Sequence, residues 1–217
     1  KTIEETASLC ALNRIFGFDP KIAGALLEHF GSATEIMNMS SKEQSLLLGP
    51  YSRYAGKISR HAVEKAAEEL MTLEKLNVRF IGQTQDSFPG LLRDCEDAPI
   101  GIYVRSTSPA EEVFGRRQSL AIVGTRDLSL YGEEWCIKTV ESLSHPKEKP
   151  LIVSGLALGT DICAHRTALD SGLPTVAVMA TGPEKVYPWR HNEFAEKLVN
   201  TPGCALITDY PPGTAPL

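Results

Sequence analysis

No two of the five cysteines, Cys10, Cys95, Cys136, Cys163 and Cys204, lie within four positions of each other in this 217-residue sequence. That spacing excludes a paired-cysteine zinc or redox site. The odd count and wide scatter point to reduced, mostly buried thiols of a cytoplasmic protein. None sits in an electropositive turn that would activate it as a nucleophile. The sequence also lacks any apolar run of the roughly 18 to 20 residues needed to cross a bilayer. Its start, KTIEETASLC, has no apolar stretch behind a basic head, so no signal peptide and no membrane association are expected.

Excess positive charge is missing too. The formal net charge is −5, from 22 Lys and Arg against 27 Asp and Glu. Residues 1–100 carry 11 basic against 14 acidic side chains, and residues 101–217 carry 11 against 13. Binding to nucleic acid by bulk charge would need a different balance. An anion site here has to be local, built from glycine amides and a few placed cations.

Several catalytic and cofactor signatures are absent. LIVSGLALGTD, residues 151–161, ends an apolar run on glycine and feeds a helix, yet it is not G-x-G-x-x-G. The next strand ends on Ala180-Thr181-Gly182, without the acid that would hold a ribose. No G-K-[ST] follows, so a phosphate loop of the Walker type is out. Ser154 is not in G-x-S-x-G and has no evident base. Asp161 and His165 share a helical face, but no third metal ligand is apparent, which favours a surface or core histidine; Asp161 reads as a helix cap. No catalytic residue, metal or cofactor is expected.

What is present falls into two parts, 1–76 and 77–217. Residues 1–76 read as helices. ETASLCALNRIF carries a helical apolar stripe. DPKIAGALLEHF has Asp19 as N-cap, Pro20 at the first helical position and Gly31 just past the end. Ser32 and Glu35 form a capping-box pattern. A short turn spans Ser41 to Leu47, and a long helix spans roughly Arg53 to Leu76. VRFIG and IGIYVRS read as strands flanking a Pro- and Gly-marked loop.

From Ser119 strands and helices alternate: SLAIVG, YGEEWCIKTVESL, PLIVSG, DICAHRTALDSG, PTVAVMA, HNEFAEKLVN and CALITD. The strands are near-continuous apolar runs, as expected of strands covered on both faces. The repeat predicts an α/β fold with a Rossmann-like, doubly wound, mostly parallel sheet. Four strands make a small sheet, so the domain is expected to continue past the C-terminus.

Three stretches carry candidate chemistry. In VGTRDLSLYG, Gly124 ends a strand and Arg126 occupies the turn on the edge where parallel sheets hold ligands. A helix N-terminus and an Arg fork suit a phosphate there; a tight turn with a surface Arg is the plainer reading. Ser129 either caps the following helix or donates to an anion. In the second stretch, Gly155 and Gly159 let a backbone or ligand come close. In the third, TGPEKVYPWRHN, Lys185, Tyr187, Trp189, Arg190 and His191 interleave cations with aromatics. That suits single-stranded nucleic acid, or a loop whose rings pack on the sheet edge. The N-terminal GFDPKIAGALLEHFGSATEI looks like a helix-hairpin-helix, but Asp19 replaces its second glycine, which favours a structural or docking role over DNA contact.

AIVGTRDLSLYG, LIVSGLALGTDICAHRTAL, YPWRHN and TDYPPGTAP, in that order, resemble the DNA-processing protein A family (DprA, also called Smf). TQDSFPGLLRDCEDAPIGIYV and the helical N-terminus fit the same pattern, so the resemblance covers nearly the whole chain. It implies a small helical domain of helix-hairpin-helix or SAM-like type before the Rossmann-like domain. It implies a bacterial, non-enzymatic protein that binds single-stranded DNA, protects incoming DNA in natural transformation, helps load the RecA recombinase, and works as a homodimer. By position it implies a DNA site at Gly124, Arg126, Ser129, Tyr131, Ser154, Gly155, Gly159 and Arg190, with Lys185, Tyr187 and Asn192 in the same loop as Arg190. Leu158 stands where members often have a polar residue, and the family's basic block after PPGT-x-P is absent from this sequence. The rival is a nucleotide-binding or nucleotide-hydrolysing enzyme of the Rossmann-like lysine-decarboxylase-like group. That group uses P-G-G-x-G-T and a glutamate, of which PPGT at 211–214 is the nearest echo.

Overall fold

The computed structural model describes residues 3–115 and 118–216. The chain divides into two compact units, Lys1–Tyr103 and Val104–Leu217.

The first unit packs five helices: α1 (Ile3–Phe16), α2 (Pro20–Phe30), α3 (Ala33–Met37), α4 (Ser41–Leu48) and α5 (Arg60–Glu74). Strand β1 (Val78–Gly82), the short α6 (Gly90–Arg93) and most of β2 (Gly101–Arg105) follow, with β1 and β2 side by side. α1 is the centre of the core: Leu9, Leu12 and Phe16 are fully buried with Ile36 of α3, Leu73 of α5 and Phe80 of β1.

Local chemistry sets several boundaries differently from the sequence expectation. Asp19 occupies the N-cap position of α2 but makes no cap bond. Its carboxylate instead accepts from Arg53 and the Tyr54 hydroxyl, tying the hairpin to the loop before α5. That loop stays out of the helix: Gly56 turns left-handed, and Ser59 caps α5 by accepting from Ala62 N–H. The reciprocal capping box is at Ser40 and Glu43, where Ser41–Leu48 forms a true helix. At α3 the acid comes from elsewhere. Glu5 of α1 accepts from Ser32 Oγ at 2.8 Å, Ala33 N at 2.8 Å, Thr34 N at 3.0 Å and Thr34 Oγ1 at 2.7 Å. Burial raises the Glu5 pKa, but these bonds outweigh it and hold the carboxyl below its usual value. Replacing Glu5 by Ala is expected to lower stability by about 1–2 kcal/mol, the cost of an unsatisfied helix start. Urea unfolding measures it, and an unchanged midpoint would show that water replaces the carboxylate.

The second unit is α/β. It holds α7 (Ala110–Phe114), β3 (Ser119–Ala121), α8 (Leu130–Ser142), β4 (Leu151–Ser154), α9 (Thr160–Asp170), β5 (Thr175–Val178), a 3₁₀ turn at Trp189–His191, α10 (Asn192–Val199) and β6 (Ala205–Thr208). The strands run in the order β6-β5-β4-β3, all parallel. Parallel strands need helical crossovers, and α8, α9 and α10 supply them. β4, β5 and β6 are mostly buried, as their apolar runs predict. β3, the edge strand beside β4, departs from that reading: all three of its residues are exposed.

Candidate functional site

The carboxyl ends of β3, β4 and β5 point the same way, so the loops that follow them meet along one edge. Two of these loops interlock. Gly159, at φ +74°, lies so close to the first loop that a Cβ there would come within 2.3 Å of the Thr125 carbonyl oxygen and 2.7 Å of the Arg126 carbonyl carbon. Thr160 reinforces the contact, donating its N–H (3.0 Å) and its hydroxyl (3.2 Å) to the same Thr125 oxygen. Gly124 is packed against Thr160 in turn, where a Cβ would meet its Oγ1 at 2.5 Å. Both glycines serve close approach between the turns.

The loop 155–159 is held under tension. Leu156 adopts φ +61°, a conformation that side-chain-bearing residues rarely take. Its fully buried side chain and its carbonyl, which accepts from His191 Nδ1 at 2.9 Å, keep it there. Asp161 does not cap α9. Its carboxylate accepts from Gly155 N–H (3.1 Å) and Ala157 N–H (3.4 Å), clamping the loop from inside. Those amides are therefore occupied, and the charge for an anion has to come from a side chain.

Behind the loops lies a shallow cavity of about 150 Å³, lined by Arg126, Gly155, Ala157, Leu158, Ala180, Thr181, Tyr187, Pro188 and Pro216. Clefts for drug-sized ligands are about 300–1,000 Å³. This one has room for a group the size of a single nucleobase, not for a dinucleotide. Arg126 is the charged residue on its wall, and it forms no ion pair among the described residues. Tyr187, half-exposed, offers a ring beside it.

Of the residues that the sequence singles out, Arg126, Gly155 and Tyr187 line the cavity, and Gly159 and Gly124 shape it. Ser154 is buried, its hydroxyl donating to the Ile122 carbonyl at 2.6 Å. Ser129 caps α8, accepting from Gly132 N–H at 3.1 Å. Lys185 reaches the Gly213 carbonyl at 3.3 Å. Tyr131, Arg190 and Asn192 are exposed and do not line the cavity. His165 is a core residue, and no metal-binding cluster of three side chains exists among the described residues.

The sequence reading missed Ala157, Ala180, Thr181, Pro188 and Pro216. Ala180 and Thr181 were locatable, since they follow β5 on the same edge. Pro216 was not. It arrives because the segment after β6 folds back: Gly182 N–H donates to Thr214 O at 3.1 Å, and Gly213 N–H to Glu184 Oε1 at 2.8 Å.

Residues 79–217 match the family described as DNA recombination-mediator protein A. The Smf protein of Escherichia coli K12 is 33% identical over 148 residues, 68% of this chain and 38% of that protein. DNA processing protein A of Streptococcus pneumoniae shares the fold at a TM-score of 0.72, with 22% identity, over 100% of this chain and 70% of that one. DNA processing protein A of Helicobacter pylori, solved for its single-stranded DNA binding mode, aligns at a TM-score of 0.55 and 22% identity over 65% of this chain and 60% of that one. The chain spans about half the length, or less, of the curated relatives it matches.

Proposed function

We propose that this chain, which belongs to the DNA recombination-mediator protein A family, binds single-stranded DNA at the cavity beneath Arg126. The observation that carries the reading is a guanidinium without an ion pair among the described residues, on the rim of a base-sized cavity and held by two interlocked glycine turns. A phosphate pairs with Arg126 through its planar fork. The base enters the apolar cavity against Leu158, Pro188 and the Tyr187 ring. The net charge of −5 does not oppose this, because a short strand needs only a few cations at one groove.

In the whole protein this reading assigns protection of incoming DNA and loading of RecA, with no catalytic step and with two copies acting together. Direct binding is the part this chain tests. Labelled oligo-dT is expected to bind in the micromolar range at low salt. Arg126→Ala is expected to weaken it about tenfold, from losing a charge-assisted hydrogen bond, and to reduce the salt slope by about 0.7, one single-strand phosphate contact. Equal affinity and slope in both proteins would move the site elsewhere. Turnover of a nucleoside monophosphate would favour the nucleotide-hydrolysing alternative.

A further inference from the structure

We propose that the outer face of α8, Tyr131 and Trp135 with Lys138 beyond them, is a stacking ledge for the bases that follow the one held at Arg126. This rests on the single-stranded DNA reading and extends it to residues the cavity does not contain.

Positions 131, 135 and 138 are spaced four and three apart, so they share one helical face. The opposite face is the packed one, with Cys136 and Val140 in the core. The ledge itself is open: Tyr131 is 70% and Trp135 54% exposed. The side chains are nevertheless arranged against each other. The two rings meet edge to face at 6.2 Å, and Lys138 Nζ sits 5.9 Å from the indole centroid. Glu134 holds Lys138 in place at 2.6 Å.

α8 starts at the end of the Arg126 turn, where Ser129 caps it. Helical side chains lean toward the helix N-terminus, so Tyr131 and Trp135 lean toward the Ser129 end of α8, which follows the Arg126 turn in the chain. The rise from 131 to 138 is about 10 Å, room for two or three bases at the ~3.4 Å spacing of a stacked strand.

The neighbouring charges choose the occupant. Glu133, Glu134 and Glu141 are exposed along the same helix. They disfavour phosphates on its surface and leave the π-faces as the attractive feature, so the bases face the helix and the phosphates face water. The same carboxylates interrupt the apolar area, whereas a stable protein interface needs about 800 Å² per partner with charge depleted at its core.

The chain has two tryptophans, so Trp189→Phe leaves Trp135 as the only indole. In that background, oligo-dT is expected to quench Trp135 emission with the midpoint given by anisotropy of labelled oligo-dT. Trp135→Ala is expected to weaken a longer oligo-dT about tenfold, one lost base stack, and Trp135→Phe to restore most of it. The salt slope stays at the wild-type value, unlike that of Arg126→Ala, and a short oligo-dT confined to the cavity binds equally. If oligo-dT binds while Trp135 emission and Trp135→Ala affinity do not change, the ledge is refuted and the Arg126 site stands. If wild type binds no oligo-dT, both fall. If Trp135→Ala abolishes self-association in sedimentation but leaves affinity per protomer intact, the face belongs to a second copy and the ledge is refuted.

Discussion

Gly159→Ala is expected to destabilise the fold by about 2–5 kcal/mol and to lose oligo-dT affinity by at least as much as Arg126→Ala does. Two costs add. At φ +74° and ψ −120° the backbone is in a region essentially reserved for glycine, and forcing an L-residue there costs about 1–2 kcal/mol. The new methyl also collides with the Thr125 and Arg126 backbone at 2.3 and 2.7 Å, which cannot rotate away as a side chain would; overpacking of that kind costs about 1–3 kcal/mol. Relief requires the Arg126 turn to move, so the binding defect follows from the stability defect. Gly172→Ala separates the two effects. Gly172 has φ +65°, but a Cβ there meets only Lys149 Nζ at 3.4 Å. It should cost only the conformational part and leave oligo-dT affinity unchanged. Thermal melts and oligo-dT titrations below the melting temperature read both. Because Gly159 acts through Arg126, the double variant should bind no worse than the weaker single one. Additive binding losses would mean that the two turns are independent.

The alternation of apolar runs and helices from Ser119 made the parallel α/β unit legible, because β4, β5 and β6 are covered and their side chains say so. β3 misled, since SLAIVG reads like its neighbours while its paired part, Ser119–Ala121, is exposed. Periodicity reports how apolar a strand is, not where it stands in the order. Capping showed the same limit. The Ser32 pattern is real locally, but the carboxylate that satisfies α3 comes from Glu5, 28 positions before Ala33. At the site, glycine spacing located both turns, and Arg126 was evident as the cation between strand and helix. Asp161 was read as a cap because its position is right for one. Its actual partners, Gly155 N–H and Ala157 N–H, depend on a loop whose path is set by left-handed Leu156, a conformation that no sequence pattern announces. Pro216 closes the cavity from beyond β6, which only the folded chain brings near.

Acid is expected to weaken the second unit through His165, by about 3 kcal/mol over the interval from pH 6.5 to about 4. The imidazole is fully buried in α9. Thr175 Oγ1 donates to the Ile152 carbonyl at 2.9 Å, so it accepts Nδ1–H from His165 at 2.7 Å. That fixes the neutral tautomer and leaves Nε2 without a hydrogen-bond partner among the described residues. Burial therefore pushes the pKa from 6.5 down to about 4; the Ser154 carbonyl opposes this and His191 nearby adds to it. The sign follows directly. Between those two values the unfolded chain is protonated and the folded one is not, so unfolding takes up a proton. The stability is complete above about pH 6.5 and is lost as the pH falls toward 4. Carboxylates titrate in the same interval, so the readout is a difference: urea unfolding of wild type and His165→Gln at about pH 7.5 and about pH 4.5. Wild type should lose more stability between the two, whatever offset the substitution brings at neutral pH. Parallel losses in both proteins would show that His165 is protonated inside the fold at little cost.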